Sequence, residues 1–338
     1  RRAKALNHVL DNSFLIHCPG DLLVGCGNLG RLATSDAVSS DVLSEADRYM
    51  LEIGRRNFAV FADHHAPDYA ALLRDGLPGL RERIETSLRQ ANTPQRDFLE
   101  ALSIAWSGAR NYFLRWSKEL ERLSQSHPEQ APLPGSQADR MRRLATERPE
   151  TLHDALQLVL SFHHMFQLDR RGAMAFGRMD QYLYPFYQAD LAAGRLDDSQ
   201  ALALFCHLFA KITVDGDVQN IALAGVKPSD GEDATNELSY MILEACRLIG
   251  QPGGNCSARI DFEKTPRAFV KKCAEVIRTG IGYPAVMNDR LTIQSLLDRG
   301  YALEDARNHC FVGCIEVFIP GKQAPWSDGR HNAMTQMQ

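Results

Sequence analysis

Near the end of the chain, Cys314 and Glu316 stand two residues apart in "CFVGCIEVFIPG", with Gly313 before them and Pro320–Gly321 after. In an extended segment, residues i and i+2 project to the same side, so this spacing predicts a thiol and a carboxylate facing one space. A thiolate nucleophile needs cationic neighbours to lower its pKa. A carboxylate beside the sulfur acts in the opposite sense, and His309, close in sequence, would have to overcome Glu316. The pair therefore suits a Cys/His hydrolase poorly. It suits a thiol kept as S–H, which can lose a hydrogen atom, become a thiyl radical and attack a C–H bond next to a hydroxyl or amine. Glu316 would then take the proton of that hydroxyl as general base. The ordinary alternative for any Cys-x-Glu is a small buried thiol beside a surface charge.

Such a pair needs elements to hold it, and the 338 residues suffice for a sizeable core in one to three domains. The chain is 44% hydrophobic and 24% charged, with a net charge of -4. That balance carries no basic excess toward nucleic acid or an anionic membrane surface. No apolar run approaches the roughly 20 residues of a membrane span, and no signal peptide is visible. The eight cysteines form no Cys-x-x-Cys pair. Their scatter predicts reduced thiols in a cytoplasm rather than a disulfide framework or a zinc site. No Met stands first, and both ends are expected to be cuts in a longer polypeptide.

The first half reads helical. Ser44 to Ala62 is expected to be a helix capped by Ser44, and further helical patterns start at Asp68, Gln95 and Leu152. The polar, Pro-containing stretch His127 to Gln137 is expected to be a surface loop. From about Asp217 the rhythm changes to alternating strands and helices. "VQNIALAG", "NCSARID" and "YPAVMND" read as strands, and the helix ending at Gly250 has a glycine stop. The helix after "DFEK" is expected to take Thr265 as cap and Pro266 as its first residue. Strands and helices at this spacing predict parallel βα units. "CFVGCIEVFIPG" is expected to be the loop after the last helix. No internal repeat or low-complexity segment is present.

"VGCIEVFIPGKQAPWSDGR" resembles the active-site cysteine loop of the glycyl radical enzymes, the pyruvate formate-lyase-like superfamily. Many members show G-C-V-E-P, then P-G-K and W-x-D. Gly313, Cys314 and Glu316 match, as do Pro320, Gly321, Lys322, Trp326 and Asp328. "FGRMDQYLYPFY" is similar to the family's G-R-x-D-Q-Y-x-Y-P segment. "DATNELSYMILEA" is similar to its D-A-T-N-E-L-S segment, and "HHAPDYAALLRDGLPGL" to its H-x-x-P-D-Y segment. The blocks occur in family order and span most of the chain.

The resemblance implies an α/β fold: part of a ten-stranded α/β barrel with a helix-rich N-terminal half and the cysteine loop inside the barrel. Residues 1–338 would be a partial pyruvate formate-lyase-like domain. The radical glycine would lie in a C-terminal domain not present here, so the fragment alone is expected to be inactive. The implied cofactor is that glycyl radical, with no metal. The implied partners are a radical SAM activating enzyme, a small-molecule substrate and a second copy in a homodimer, in the cytoplasm of an anaerobic bacterium. Pyruvate formate-lyases carry two adjacent cysteines where this chain has Gly313–Cys314. Gly-Cys-Ile-Glu is closer to the eliminating members, which dehydrate diols or hydroxyproline or cleave choline-type C–N bonds. On that pattern Cys314 and Glu316 are catalytic. Asp328 binds a substrate hydroxyl, beside Ser327.

Two departures stand out. Val317 replaces the Pro that usually follows the Glu. Gly172 and Ala173 stand where diol dehydratases tend to have a polar His-Ser pair, so a different substrate would meet them. Arg170 and Arg171 just before them suit a carboxylate, or are solvated helix-end charges. The leading expectation is a glycyl radical dehydratase. A radical arylacetate-type decarboxylase and an inactive homologue with a binding role are the alternatives.

Other candidates read as structural. Adjacent His64 and His65 on an extended segment point opposite ways and would not share a metal, and Asp68 is expected to start a helix. His163 and His164 read as packed core residues. Arg178 and Asp180 are expected to pair in the interior, and Tyr182, Tyr184, Phe186 and Tyr187 to pack. Asn220 and Asn255, beside strands, are candidates to face the pocket, with no local pattern to decide it.

Overall fold

The computed structural model describes residues 1–30, 58–62, 64–127, 132–169, 171–250, 253–325 and 327–331. The Ser44 cap and most of its expected helix, together with Arg170 and Trp326, lie outside them. Phe58–Ala62, expected to end that helix, is strand β1. It pairs antiparallel with β8, Ser327–His331, in the register Phe61↔Asp328 and Ala62↔Ser327.

Local sequence explains most helix boundaries. Helix α1 spans Arg2–Asn12. Helix α2, Tyr69–Gln90, starts at Asp68, whose carboxylate accepts from the Ala71 N–H. Helix α3, Thr93–Ser126, opens with a capping box between Asn92 and Gln95. Helix α4, Pro132–Leu144, takes up residues expected to be loop. Its prolines fall in the first turn, where a missing N–H costs nothing. Helix α5, Leu152–Leu168, is capped by Thr151 and buried on nearly every side, as its all-round apolar sequence requires.

The second half builds a parallel sheet in the order β2-β3-β4-β5. Its strands are Ala175–Gly177, Asn220–Ala224, Asn255–Ile260 and Ala285–Asn288. Between β2 and β3 lie α6 (Met179–Tyr182), α7 (Tyr184–Ala192) and α8 (Asp198–Asp215). Helix α9, Glu237–Ile249, connects β3 to β4, with a capping box at Asn236 and a left-handed Gly250 at its end. Helix α10, Arg267–Ile277, connects β4 to β5. Its N-cap is Pro266, not Thr265: the Thr265 hydroxyl is engaged one turn earlier, accepting from the Asp261 N–H at 3.0 Å.

Both faces of this sheet are covered, as a parallel sheet requires. Phe176, Ile221, Leu223, Cys256, Ala258 and Ile260 pack into the main core with the helices. Ala175 and Ala222, on the opposite face, pack against Cys310, Phe311, Val312 and Phe318. These last residues are not in a loop. After α11 (Asp289–Asp298) and α12 (Leu303–Arg307) they form a hairpin of β6, Cys310–Val312, and β7, Glu316–Phe318. Three-residue strands are too short for an alternating pattern to announce them. No described helix is long and apolar enough to cross a membrane.

A buried ionic knot fixes the root of the hairpin. Arg259 Nε meets Asp289 Oδ1 at 2.6 Å with both side chains fully buried. The same guanidinium donates to the carbonyls of His309 and Arg307 at 2.9 and 2.8 Å, immediately before β6. Arg178 and Asp180 do not bridge each other. Arg178 donates to the Ala224 and Val226 carbonyls, and Asp180 accepts from the Ala224 N–H and the Ser239 hydroxyl. Burial lowers the Arg178 pKa to about 9, which leaves its guanidinium protonated at neutral pH.

Candidate active site

The hairpin pairs Cys310 with Phe318, Phe311 with Val317 and Val312 with Glu316. Gly313, Cys314 and Ile315 therefore make a three-residue turn at its tip. Strand β6 and Phe318 are buried and Glu316 and Val317 half-buried, while Cys314 and Ile315 are exposed. Cys310, four residues back, is fully buried opposite Phe318, and burial pushes its thiol up to about 12.

Gly313 takes φ +51°, the left-handed region that favours glycine. A Cβ there would lie 2.3 Å from His64 Cδ2, 2.5 Å from His64 Nε2 and 2.7 Å from Glu316 Oε2. The imidazole and the carboxylate thus both abut the Gly313 Cα. Glu316 Oε2 also accepts from the Ile315 N–H at 3.1 Å, folding the carboxylate back under the turn. The turn, rather than extended alternation, sets the relation of Cys314 to Glu316. A second thiol at position 313 has no room.

Two further bonds hold the tip. The Gly313 N–H donates to the Ala173 carbonyl at 2.8 Å, and Asn255 Nδ2 donates to the Gly313 carbonyl at 3.3 Å. Tyr283 donates its hydroxyl to Asn255 Oδ1 at 2.8 Å, and burial raises the phenol pKa, keeping the donor protonated. Ala173, itself at φ +49°, donates its N–H to Asp217 Oδ1 at 3.3 Å. A Cβ on Gly172 would stand 3.3 Å from Asp217 Oδ2.

Cys314 opens into a cleft of about 620 Å³ at the N-terminal ends of β3, β4 and β5, lined by Asp217, Asn255, Ser257, Tyr283 and Ala285 among others. No lysine, arginine or histidine is among the described lining residues. This lining offers none of the cationic neighbours that a thiolate nucleophile calls for.

The structure therefore brings Cys314, Glu316, Gly172 and Ala173 to one hairpin tip. Asp328 and Ser327 sit on β8 against β1, with their side chains outside the described residues. Arg171 turns to a separate apolar groove of about 830 Å³, where it pairs with Asp169 at 3.2 Å. His65 lines that groove too, and its ring meets Phe166 edge-on. Among the described residues no group of three His, Cys, Asp or Glu side chains is arranged for a metal. His163 stacks on Phe176 at 4.0 Å, and His164 lies 3.4 Å from Asp215.

Sequence reasoning read His64 as structural and missed Asp217, Ser257 and Tyr283. His64 opens the H-x-x-P-D-Y segment, its one link to the family pattern. The others come from strand edges 31 to 97 residues away from Cys314 in sequence.

The pattern of the pyruvate formate lyase-like family matches residues 50–338. The chain belongs to this family. Among its glycyl radical enzyme relatives, (2S)-3-sulfopropanediol dehydratase of Klebsiella oxytoca is 29% identical over 295 residues, 80% of this chain and 36% of that protein. Trans-4-hydroxy-L-proline dehydratase of Clostridioides difficile is 30% identical over 302 residues, 79% of this chain and 38% of that protein. The chain thus spans just over a third of these relatives' length. The glycerol-bound B12-independent glycerol dehydratase of Clostridium butyricum superposes with a TM-score of 0.80 at 24% identity, covering 95% of this chain and half of that one. The α/β architecture is therefore that of the glycyl radical enzyme barrels.

Proposed function

We propose that this chain carries the thiol-bearing part of a glycyl radical lyase that dehydrates a small hydroxylated substrate. One observation carries the reading: an exposed thiol at the tip of the hairpin opens into a cleft that Asp217, Asn255, Ser257 and Tyr283 line with polar groups and whose described lining holds no cation, with Glu316 and His64 against the same Gly313. The relatives named as dehydratases of sulfopropanediol and hydroxyproline support the substrate class.

The glycyl radical, on a glycine outside this chain, supplies one thing: removal of the hydrogen atom from Cys314 Sγ. The Cys314 thiyl then takes hydrogen from the substrate carbon that bears a hydroxyl, reforming S–H. Glu316 accepts that hydroxyl's proton. The substrate ketyl radical expels the hydroxide on its β carbon, and the proton held by Glu316 completes a water molecule. Cys314 returns its hydrogen atom to the carbonyl radical, and a diol has become an aldehyde and water. Asp328, with Ser327, orients the substrate, and Gly172 and Ala173 wall the cleft. A radical SAM activating enzyme and a second copy of the chain are the proposed partners.

A relative named 4-hydroxyphenylacetate decarboxylase glycyl radical subunit, 31% identical over 204 residues, supports decarboxylation as a second reading. That reaction calls for a cation facing the carboxylate, a role no described lining residue fills.

The test is anoxic activation of the full-length polypeptide by a radical SAM enzyme. EPR is read for an organic radical while diols, hydroxyprolines, amino alcohols and arylacetates are screened for turnover. A doublet with dehydration of a hydroxylated compound is expected. Cys314→Ser should keep the signal and lose turnover, and Glu316→Gln should slow turnover about 10²- to 10⁴-fold. Release of carbon dioxide would favour the decarboxylase, and no signal with a competent activating enzyme would favour an inactive homologue.

A further inference from the structure

The floor of the cleft contains a hydroxyl with no bond to any described residue. Ser257 lies on β4 and is only 1% exposed, and its Oγ has no hydrogen-bond partner among the described residues. The cause is its place in the sheet. A serine usually finds a local backbone acceptor, but the Ser257 backbone is in register with Ala222 on β3 and with Ala285 on β5. The ladder on both sides uses those groups. Both flanking side chains are methyls, so neither neighbour reaches the hydroxyl.

Two residues earlier on the same face, Asn255 is bound to the hairpin-tip carbonyl and to Tyr283. Ser257, Ala285 and Cys314 all line the same cleft. A buried hydroxyl left unpaired weakens a fold unless something else meets it. Ala222 is packed under the hairpin, but on the other side Ala285 lines the cleft and leaves space beside the hydroxyl, on the side where the thiol stands.

We propose that Ser257 is a ligand-binding residue: its hydroxyl receives a hydroxyl of the bound molecule, and the small side chain of Ala285 leaves space for that group. This rests on the radical lyase reading and adds to it a floor contact for a polyhydroxylated ligand. The ligand is held from below by Ser257 while Cys314 faces it from the hairpin.

The experiment uses the full-length polypeptide without oxygen. Iodoacetamide labelling of Cys314 is followed by peptide mass spectrometry against rising 1,2-propanediol and glycerol. One of the two is expected to slow labelling. In Ser257→Ala the half-protecting concentration should rise roughly three- to tenfold, the loss of one neutral hydrogen bond. Ser257→Thr, which keeps a hydroxyl, should restore most of it. Thermal stability separates this from a structural role, because Ser257→Ala removes an unpaired polar group and should leave the midpoint unchanged or raise it. Protection by a diol that persists unchanged in Ser257→Ala overturns this proposal alone, as does a lowered midpoint. Failure of both diols to protect the unsubstituted protein overturns it together with the hydroxylated-substrate reading.

Discussion

Gly313→Ala adds one methyl at the tightest point of the site. The backbone φ of +51° costs a non-glycine residue roughly 1–2 kcal/mol. The new Cβ would also stand 2.3 Å from the His64 ring and 2.7 Å from Glu316, so both must retreat by about an ångström. Overpacking of this kind costs typically 1–3 kcal/mol. The expected loss is therefore about 2–5 kcal/mol, read as a shift of the urea midpoint at unchanged slope. A double-variant cycle separates the two contributions. In a His64→Ala background the imidazole's part of the crowding should vanish while the backbone share and the Glu316 contact remain, so the two substitutions couple by up to about 1–3 kcal/mol. Gly313→Cys, which recreates the double-cysteine loop, should behave as Gly313→Ala does. A loss below about 0.5 kcal/mol, or strict additivity with His64→Ala, would refute the reasoning.

Three further expectations follow from the same contacts. Arg259→Leu strands the fully buried Asp289 and should cost about 3–5 kcal/mol in equilibrium unfolding; a change under 1 kcal/mol would deny the knot its role. Burial holds His153 down to about 4 and His163 to about 3, against an ordinary 6.5. Below pH 6.5 the unfolded chain binds two protons that the folded one refuses. Stability, unaffected by these groups above that pH, should fall toward pH 4 with a slope approaching about 2.7 kcal/mol per unit; a urea midpoint that holds steady from pH 7 to 5 would contradict this. Tyr283→Phe removes the donor that orients Asn255 and should cost about 1 kcal/mol while speeding alkylation of Cys314; an unchanged labelling rate would mean that the tip is held without it.

What could be read in the sequence was local. Asp68 announces a helix start by its own chemistry, Gly250 announces a stop, and "VQNIALAG" is apolar enough to be a buried strand. The family's motifs carried Cys314 and Glu316 to one place. The hairpin was not legible, because its strands hold three residues each. Nor was β1, where the sequence continues a helical pattern but pairing with β8 decides the outcome. Arg178 and Asp180 were legible as buried but not as partners of the Ala224 backbone. Contacts such as Tyr283 to Asn255 depend on which strands become neighbours, and no local pattern encodes that.

The hairpin separates anchorage from chemistry. Its walls are locked between the sheet and the ionic knot, so a change at Phe311 or Phe318 would displace the sulfur as a whole. At the tip Ile315 carries no such burden: it is 58% exposed and can be exchanged at little cost to folding. Variation at 315 would therefore reshape the space beside the thiol while leaving the thiol where it is. That makes the apex the place where a fold of this kind can drift from one ligand to another without first coming apart.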